Sequence, residues 1–188
     1  MEDFDIVVIG LGIVGRAATY HCARRGARTL GLDAHDKTHD LGSSHGTRRA
    51  TRETYFESPD YVPLAQRAFD QWRSLEADSG DDLFTVNGAV YVAPDGHAML
   101  QGVERAARAH GLPITCLSRA QTAGRFPAFN VPQGWQALVE QRGGVLRADR
   151  CMQTLADLAQ HHGAELRFRQ PALRISQGPR GKAIVHTP

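Results

Sequence analysis

At 188 residues, with 41% hydrophobic and 22% charged side chains, the chain has the make-up of an ordinary globular protein and can bury one sizeable core, or one domain carrying an insertion. A net charge of only +2 gives no electrostatic case for nucleic acid or an anionic membrane as partner, and no apolar run reaches membrane-spanning length. Cys22, Cys116 and Cys151 are odd in number and far apart, with no C-x-x-C. That pattern excludes a disulfide frame and a zinc site, and it fits a reducing compartment. The first residues are acidic and lead straight into a glycine motif, which argues against a secretory leader and for a cytoplasmic protein.

The N-terminal stretch carries the strongest signal. Ile6–Ile9 reads as a short strand buried on both faces, as in a parallel sheet. Gly10, Gly12 and Gly15 follow with G-x-G-x-x-G spacing, and a helix begins at once, running from about Ile13 to Arg25 before Gly26. Ile13, Val14, Ala17, Ala18 and Ala23 are available for its sheet side. The first glycine allows a tight turn, the second lets a pyrophosphate approach the backbone, and the third lets the helix pack on the sheet. The helix N-terminus points free N–H groups at the phosphates. A second strand near Thr29 to Leu32 ends in Asp33, eighteen residues after Gly15, where a carboxylate can accept from a ribose hydroxyl pair. The unit predicts a dinucleotide site and leaves FAD and NAD both open.

Residues 34 to 52 are polar and read as a loop. Arg48, Arg49 and Arg52 form either a solvated basic loop or an anion site. An amphipathic helix follows near Tyr61 to Ala77, with Val62, Ala65, Ala68, Phe69, Trp72 and Leu75 on one face. Leu83 to Val92 turns to a β pattern, with Asn87-Gly88 as a turn or bulge. Helix is expected from about His97 to His110 and strand from Ile114 to Leu117. Ser118 and Gln121 make a capping box for a short helix. Trp135 to Val139 is a strand candidate, and helix is expected from Asp149 to His162. His161 and His162 fit capping of carbonyls better than metal binding. Glu165 to Arg169 alternates as a strand returning to the first sheet, and Leu173 to Val185 suggests a hairpin around residues 177–182. Residues 1–57 and 148–188 thus read as two parts of one nucleotide-binding domain, with 58–147 as a substrate-side insertion.

The chain resembles the monomeric sarcosine oxidase and N-methyl-L-tryptophan oxidase family of D-amino-acid-oxidase-like FAD oxidoreductases. The resemblance rests on residues 5–15, Leu32-Asp33, the Gly42-Ser-Ser-His-Gly46 segment with Arg49 and Arg52, residues 61–64 and residues 144–151. It implies an α/β fold with an FAD-binding Rossmann-like parallel sheet of the glutathione-reductase type, an inserted α+β region, and FAD rather than NAD. It also implies oxidation of a secondary amine, an N-methyl amino acid, by hydride transfer to the flavin, with O2 reduced to hydrogen peroxide. By position, Gly10, Gly12, Ile13, Val14 and Gly15 would cradle the pyrophosphate and Asp33 would bind the ribose. Ser43, Ser44 and His45 would lie along the flavin, with Ala172 near the adenine. Arg49 and His45 would be the catalytic pair, Arg49 favouring the electron-rich reduced ring. Arg52 would clamp the substrate carboxylate.

Two departures stand out. Thr47-Arg48 replaces the acidic residue and threonine the family places there. Family chains also continue well beyond this length, through the cysteine that attaches the flavin and a lysine associated with oxygen. The sequence is therefore expected to be the N-terminal part of an oxidase, with no counterpart of the attachment cysteine. The alternatives are a non-catalytic FAD-binding fragment, a subunit completed by a partner or by the missing C-terminal half, another D-amino-acid-oxidase-like flavin dehydrogenase, and an NAD(P)-binding dehydrogenase.

Overall fold

A computed structural model describes residues 2–188 apart from the Arg180 side chain. The chain divides into two compact units. One takes the chain up to Arg48 together with Asp78–Asp81 and Arg147–Pro188; the other takes Arg49–Ala77 and Asp82–Leu146.

The first unit is built on a parallel sheet. Strands β1 (Ile6–Ile9) and β2 (Thr29–Leu32) flank helix α1 (Ile13–Arg24), as the glycine motif requires. Strand β9 (Glu165–Arg167) pairs in parallel with β2, so the sheet order is β1-β2-β9. The expected return of the chain to this sheet is therefore present. Helix α5 (Ala148–His161) packs against α1 and leads into β9. An antiparallel hairpin, β10 (Arg174–Gln177) with β11 (Ala183–His186), follows at the expected place.

Two expectations in this unit need correction. β1 is not buried on both faces: Ile6 is 36% and Ile9 46% exposed, because β1 is an edge strand with only β2 beside it among the described residues. Fully buried β2 is the central strand. Of the apolar set read for the inward face of α1, Ala23 is buried and Ile13, Ala17 and Ala18 are half-buried, but the fully buried face is largely polar. It is Arg16, Thr19, Tyr20 and Ala23, in i, i+3, i+4, i+7 phase, while Val14 is 80% exposed. Polar residues are tolerated there because each is satisfied: the Thr19 hydroxyl donates to Gly15 O at 2.8 Å, and the Tyr20 hydroxyl meets Asp78 at 3.2 Å.

The second unit is α+β. Helix α2 (Tyr61–Ser79) buries Val62, Ala65, Phe69 and Leu75; Trp72 is only half-buried and Ala68 is exposed. The polar stretch read as loop ends in a strand, β3 (Arg48–Thr51). It belongs to a three-stranded sheet, β3-β8-β4, with β8 (Gly144–Arg147) and β4 (Phe84–Val86). The β segment 83–92 breaks at the expected Asn87-Gly88 position between β4 and β5 (Ala89–Pro94), which belong to different sheets. Both amides there donate to Gly143 O. β5 joins the antiparallel sheet β5-β7-β6, with β6 (Ile114–Leu117) and β7 (Trp135–Glu140). Helix α3 (Ala98–His110) packs Leu100 and Val103 against Tyr91, Ala93 and Leu138. Short helix α4 (Arg119–Arg125) starts with the expected capping box of Ser118 and Gln121. Among the described residues, no helix is long and apolar enough to cross a membrane, and no group of three or more potential ligands could hold a metal ion.

Candidate functional site

The turn between β1 and α1 is shaped by its glycines. Gly10 adopts φ +88°, the left-handed region where a side chain is strained. Gly15 has no room for one: a Cβ there would lie 1.8 Å from Gly10 O. A Cβ on Gly12 would meet Ser44 Oγ at 3.2 Å, so the surface of the turn beside Gly12 is kept open only by the missing side chain.

The Ser-Ser-His segment is brought to this turn. Ser44 Oγ accepts the Ile13 amide at 3.0 Å, so one free donor of the helix N-terminus is capped by a residue thirty-one positions away. His45 folds back through Nδ1 onto Gly42 O and is exposed, as is Ser43. Asp33, at the end of β2, is 7% exposed. Its Oδ2 accepts the Leu11 amide at 2.6 Å, its Oδ1 accepts the His35 amide at 2.9 Å, and His39 Nε2 lies 3.8 Å away. An ionised carboxylate has about four acceptor positions, so the two amides leave capacity for hydroxyl donors. Ala172, half-buried, follows Gln170, whose amide donates to Asp33 O at 2.8 Å.

The Gly12 turn and the Ser44 segment border a cavity of about 430 Å³ whose lining lies entirely within the first unit and does not include Asp33, Ser43 or Ala172. Gly12, Ser44, His45 and Gly46 line it, joined by Lys37 to Asp40 of the loop after β2 and by Asp149, Met152 and Gln153 of α5. Sequence reasoning missed the wall after β2, the α5 contribution and Arg16. Arg16 is 3% exposed and donates from Nε to Leu11 O at 2.7 Å, from Nη1 to Met152 O at 2.9 Å and from Nη2 to Lys37 O at 2.5 Å. Burial lowers its pKa, with the charges of Asp33 and Asp157 opposing the shift. The available signal was a cation directly after the third glycine, in a helical turn whose dipole disfavours it.

Arg49 and Arg52 belong to the second unit. Arg49 lies exposed on β3. The Arg52 guanidinium sits over Tyr55 at 4.9 Å, Phe56 at 5.4 Å and Tyr91 at 6.0 Å, with Glu57 Oε1 3.8 Å away. The residues next to it are fixed by a buried network that the sequence did not reveal. Glu140, 2% exposed, accepts the amides of Glu53 and Thr54 at 2.8 Å each, the Thr54 hydroxyl, and the Tyr91 hydroxyl at 3.2 Å. Burial pushes the Tyr91 phenol above its ordinary range, so it acts as a neutral donor.

An open glycine turn, a helix N-terminus, a buried cation and a carboxylate with spare acceptor capacity fit the pyrophosphate and ribose of a dinucleotide. Comparison with known proteins agrees. Residues 5–188 match the family described as FAD dependent oxidoreductase. The chain is 38% identical over 171 residues to the monomeric sarcosine oxidase of Streptomyces avermitilis, covering 91% of this chain and 44% of that protein. It is 35% identical over 183 residues to the N-methyl-L-tryptophan oxidase of Yersinia pestis, covering 97% of this chain and 49% of that protein. The chain thus spans about half the length of the curated relatives it matches. Among solved structures, NikD, an unusual amino acid oxidase essential for nikkomycin biosynthesis, superposes with a TM-score of 0.87 at 25% identity, over 100% of this chain and 48% of that one. The L-proline dehydrogenase of P. horikoshii has the same fold, with a TM-score of 0.80 at 19% identity over 95% of this chain and 47% of that one. With a family match across nearly the whole chain, and with the glycine turn and parallel sheet that such a cofactor needs, this chain belongs to the FAD-dependent oxidoreductase family.

Proposed function

We propose that the first unit, with residues 1–57 and 148–188 as its sequence, is the FAD-binding part of an oxidase acting on an N-methyl amino acid. Residues 58–147 then form a substrate-side region. The observation that carries the reading is the cradle: an open turn at Gly12 beside Ser44, walled by a buried Arg16, with Asp33 holding the turn through the Leu11 amide. Identity to oxidases of sarcosine and N-methyl-L-tryptophan supports the substrate class.

When bound, FAD would supply the two-electron acceptor for amine oxidation, with O2 taking the electrons onward as hydrogen peroxide. Gly10, Gly12, Ile13, Val14 and Gly15 would hold the pyrophosphate by backbone approach and the α1 N-terminus. Asp33 would hold the ribose through its remaining acceptor positions. Ser43, Ser44 and His45 would contact the flavin portion, and Ala172 the adenine. Arg49 would stabilise negative charge on the reduced cofactor, and His45 is the second proposed catalytic residue. Arg52 would bind the substrate carboxylate; its aromatic neighbours keep its fork oriented while leaving it about a third exposed. The cytoplasm is the proposed compartment, on the strength of three free thiols.

A second reading has its own observation. Among the described residues β1 has an open edge with Ile6 and Ile9 exposed, which suits pairing with a further strand, and on this reading the chain requires a complementary polypeptide for turnover. One experiment separates the readings. The chain is loaded with FAD and mixed anaerobically with sarcosine or N-methyl-L-tryptophan, and the flavin absorbance is followed. Bleaching, with peroxide on re-aeration, is the result expected of a competent oxidase. Bound FAD that stays oxidised with both amines favours the partner-requiring reading. Failure to take up FAD contradicts both.

A further inference from the structure

Arg16 is a buried cation that no carboxylate contacts among the described residues, and the charges of Asp33 and Asp157 reach it only through space. It is 3% exposed, and among the described residues it forms no ion pair. Its three hydrogen bonds go to neutral carbonyls on three separate segments: Leu11 of the glycine turn, Lys37 of the loop after β2, and Met152 of α5. The ring of Phe168 lies 5.6 Å from the guanidinium carbon. Carbonyls satisfy the N–H groups but leave the net charge, which Asp33 and Asp157 offset only from a distance, and a buried charge without a directly paired partner is costly. Its position compounds the cost, since the first turn of α1 is the positive end of the helix dipole. Both positive sources border one cavity, which is also lined by Gly12 and Ser44. The arrangement stands ready for an anion.

We propose that Arg16 is a positioning residue for the diphosphate: it pins the three segments that wall the cavity and supplies the fixed positive charge that makes this chain prefer a nucleoside diphosphate to a nucleoside. The inference rests on the FAD reading of the same cavity. It assigns the diphosphate selectivity to a side chain rather than to the glycine turn and helix N-terminus alone.

The test is calorimetric binding of ADP and of adenosine to the full 188-residue chain at several salt concentrations, for the wild type, Arg16→Met and Arg16→Lys, with FAD binding measured alongside. The wild type should bind ADP well ahead of adenosine, with affinity falling as salt rises. Arg16→Met should weaken ADP roughly tenfold or more, the loss expected for one charge-assisted contact, and flatten the salt dependence while adenosine binding holds. Arg16→Lys, which keeps the charge without the fork, should keep the ADP preference within about threefold. Equal loss of ADP and adenosine in Arg16→Met would mean a purely structural role and overturn the inference, as would unchanged ADP binding. Should Arg16→Met fail to fold, Arg16→Lys decides, and loss of the ADP preference there is the contrary result. A wild type that binds FAD and ADP with variants indifferent to the change defeats this inference alone. A wild type that binds neither defeats the FAD reading as well.

Discussion

Gly12 and Gly15 are three residues apart and do different work. A methyl group at Gly15 would collide with the Gly10 carbonyl at 1.8 Å, and backbone on both sides cannot yield. Gly15→Ala is therefore expected to destabilise the chain by about 3 kcal/mol or more, measured by denaturant unfolding. At Gly12 the methyl meets only the Ser44 hydroxyl at 3.2 Å. Gly12→Ala should cost less than about 1 kcal/mol of stability and yet weaken FAD binding, because it occupies the space a phosphate would approach. Equal effects on stability would contradict the separation of a packing glycine from a binding glycine. Arg52 offers a test of the substrate side. If it clamps a carboxylate, Arg52→Ala in the active, FAD-loaded enzyme should raise KM for N-methyl amino acids roughly ten- to a hundredfold with flavin content unchanged. Unaltered KM removes that role.

Among the elements, α5 and the short segment 78–81 are tied by a carboxylate. Asp81 Oδ2 accepts the Thr154 hydroxyl at 2.5 Å, and Oδ1 accepts the Arg150 guanidinium. The Thr154 bond, then Arg150, hold the Asp81 pKa below its ordinary value. A carboxylate whose folded pKa is depressed contributes stability that is present above its unfolded pKa, near 4, and lost as pH falls through the folded value. Asp81→Asn should therefore destabilise by about 1 kcal/mol at pH 7 and by less at pH 3, read from urea midpoints at both. An undiminished difference at pH 3 would show that the charge is not what matters. Glu140 performs the equivalent task in the second unit, where its loss would strand three or four donors; Glu140→Ala should cost about 3 kcal/mol.

Elements with a local code were legible in the sequence. The glycine turn, the Ser118–Gln121 capping box and the return strand β9 all depend on spacing within a few residues or on period. What escaped depends on partners far along the chain. Arg16 went unremarked because its carbonyl partners lie on segments that meet only in the fold, one of them 136 residues away. Glu140 falls just past the strand expected from Trp135 to Val139, and its partners at Glu53 and Thr54 are more than eighty residues distant. β1 reads as a buried strand because its residues are apolar, whereas its burial depends on a neighbour that residues 2–188 do not provide. The engagements of two proposed site residues were not legible either: Ser44 caps α1, and Asp33 holds the glycine turn.

At the scale of the whole molecule, the chain covers about half of the sarcosine and N-methyl-L-tryptophan oxidases it resembles, and it contains a complete βαβ unit with a cavity of its own. The cavity walls come from the glycine turn, the loop after β2, the Ser44 segment and α5, all in one compact unit. The residues proposed for the diphosphate and ribose therefore all lie in this unit. The most direct measurement is titration of the purified 188-residue chain with FAD, followed by flavin fluorescence, with NAD+ as competitor. A one-to-one complex that NAD+ does not displace, and that Gly12→Ala weakens, is the expected result. A chain that is folded by circular dichroism and leaves flavin fluorescence unchanged at saturating FAD would contradict the account.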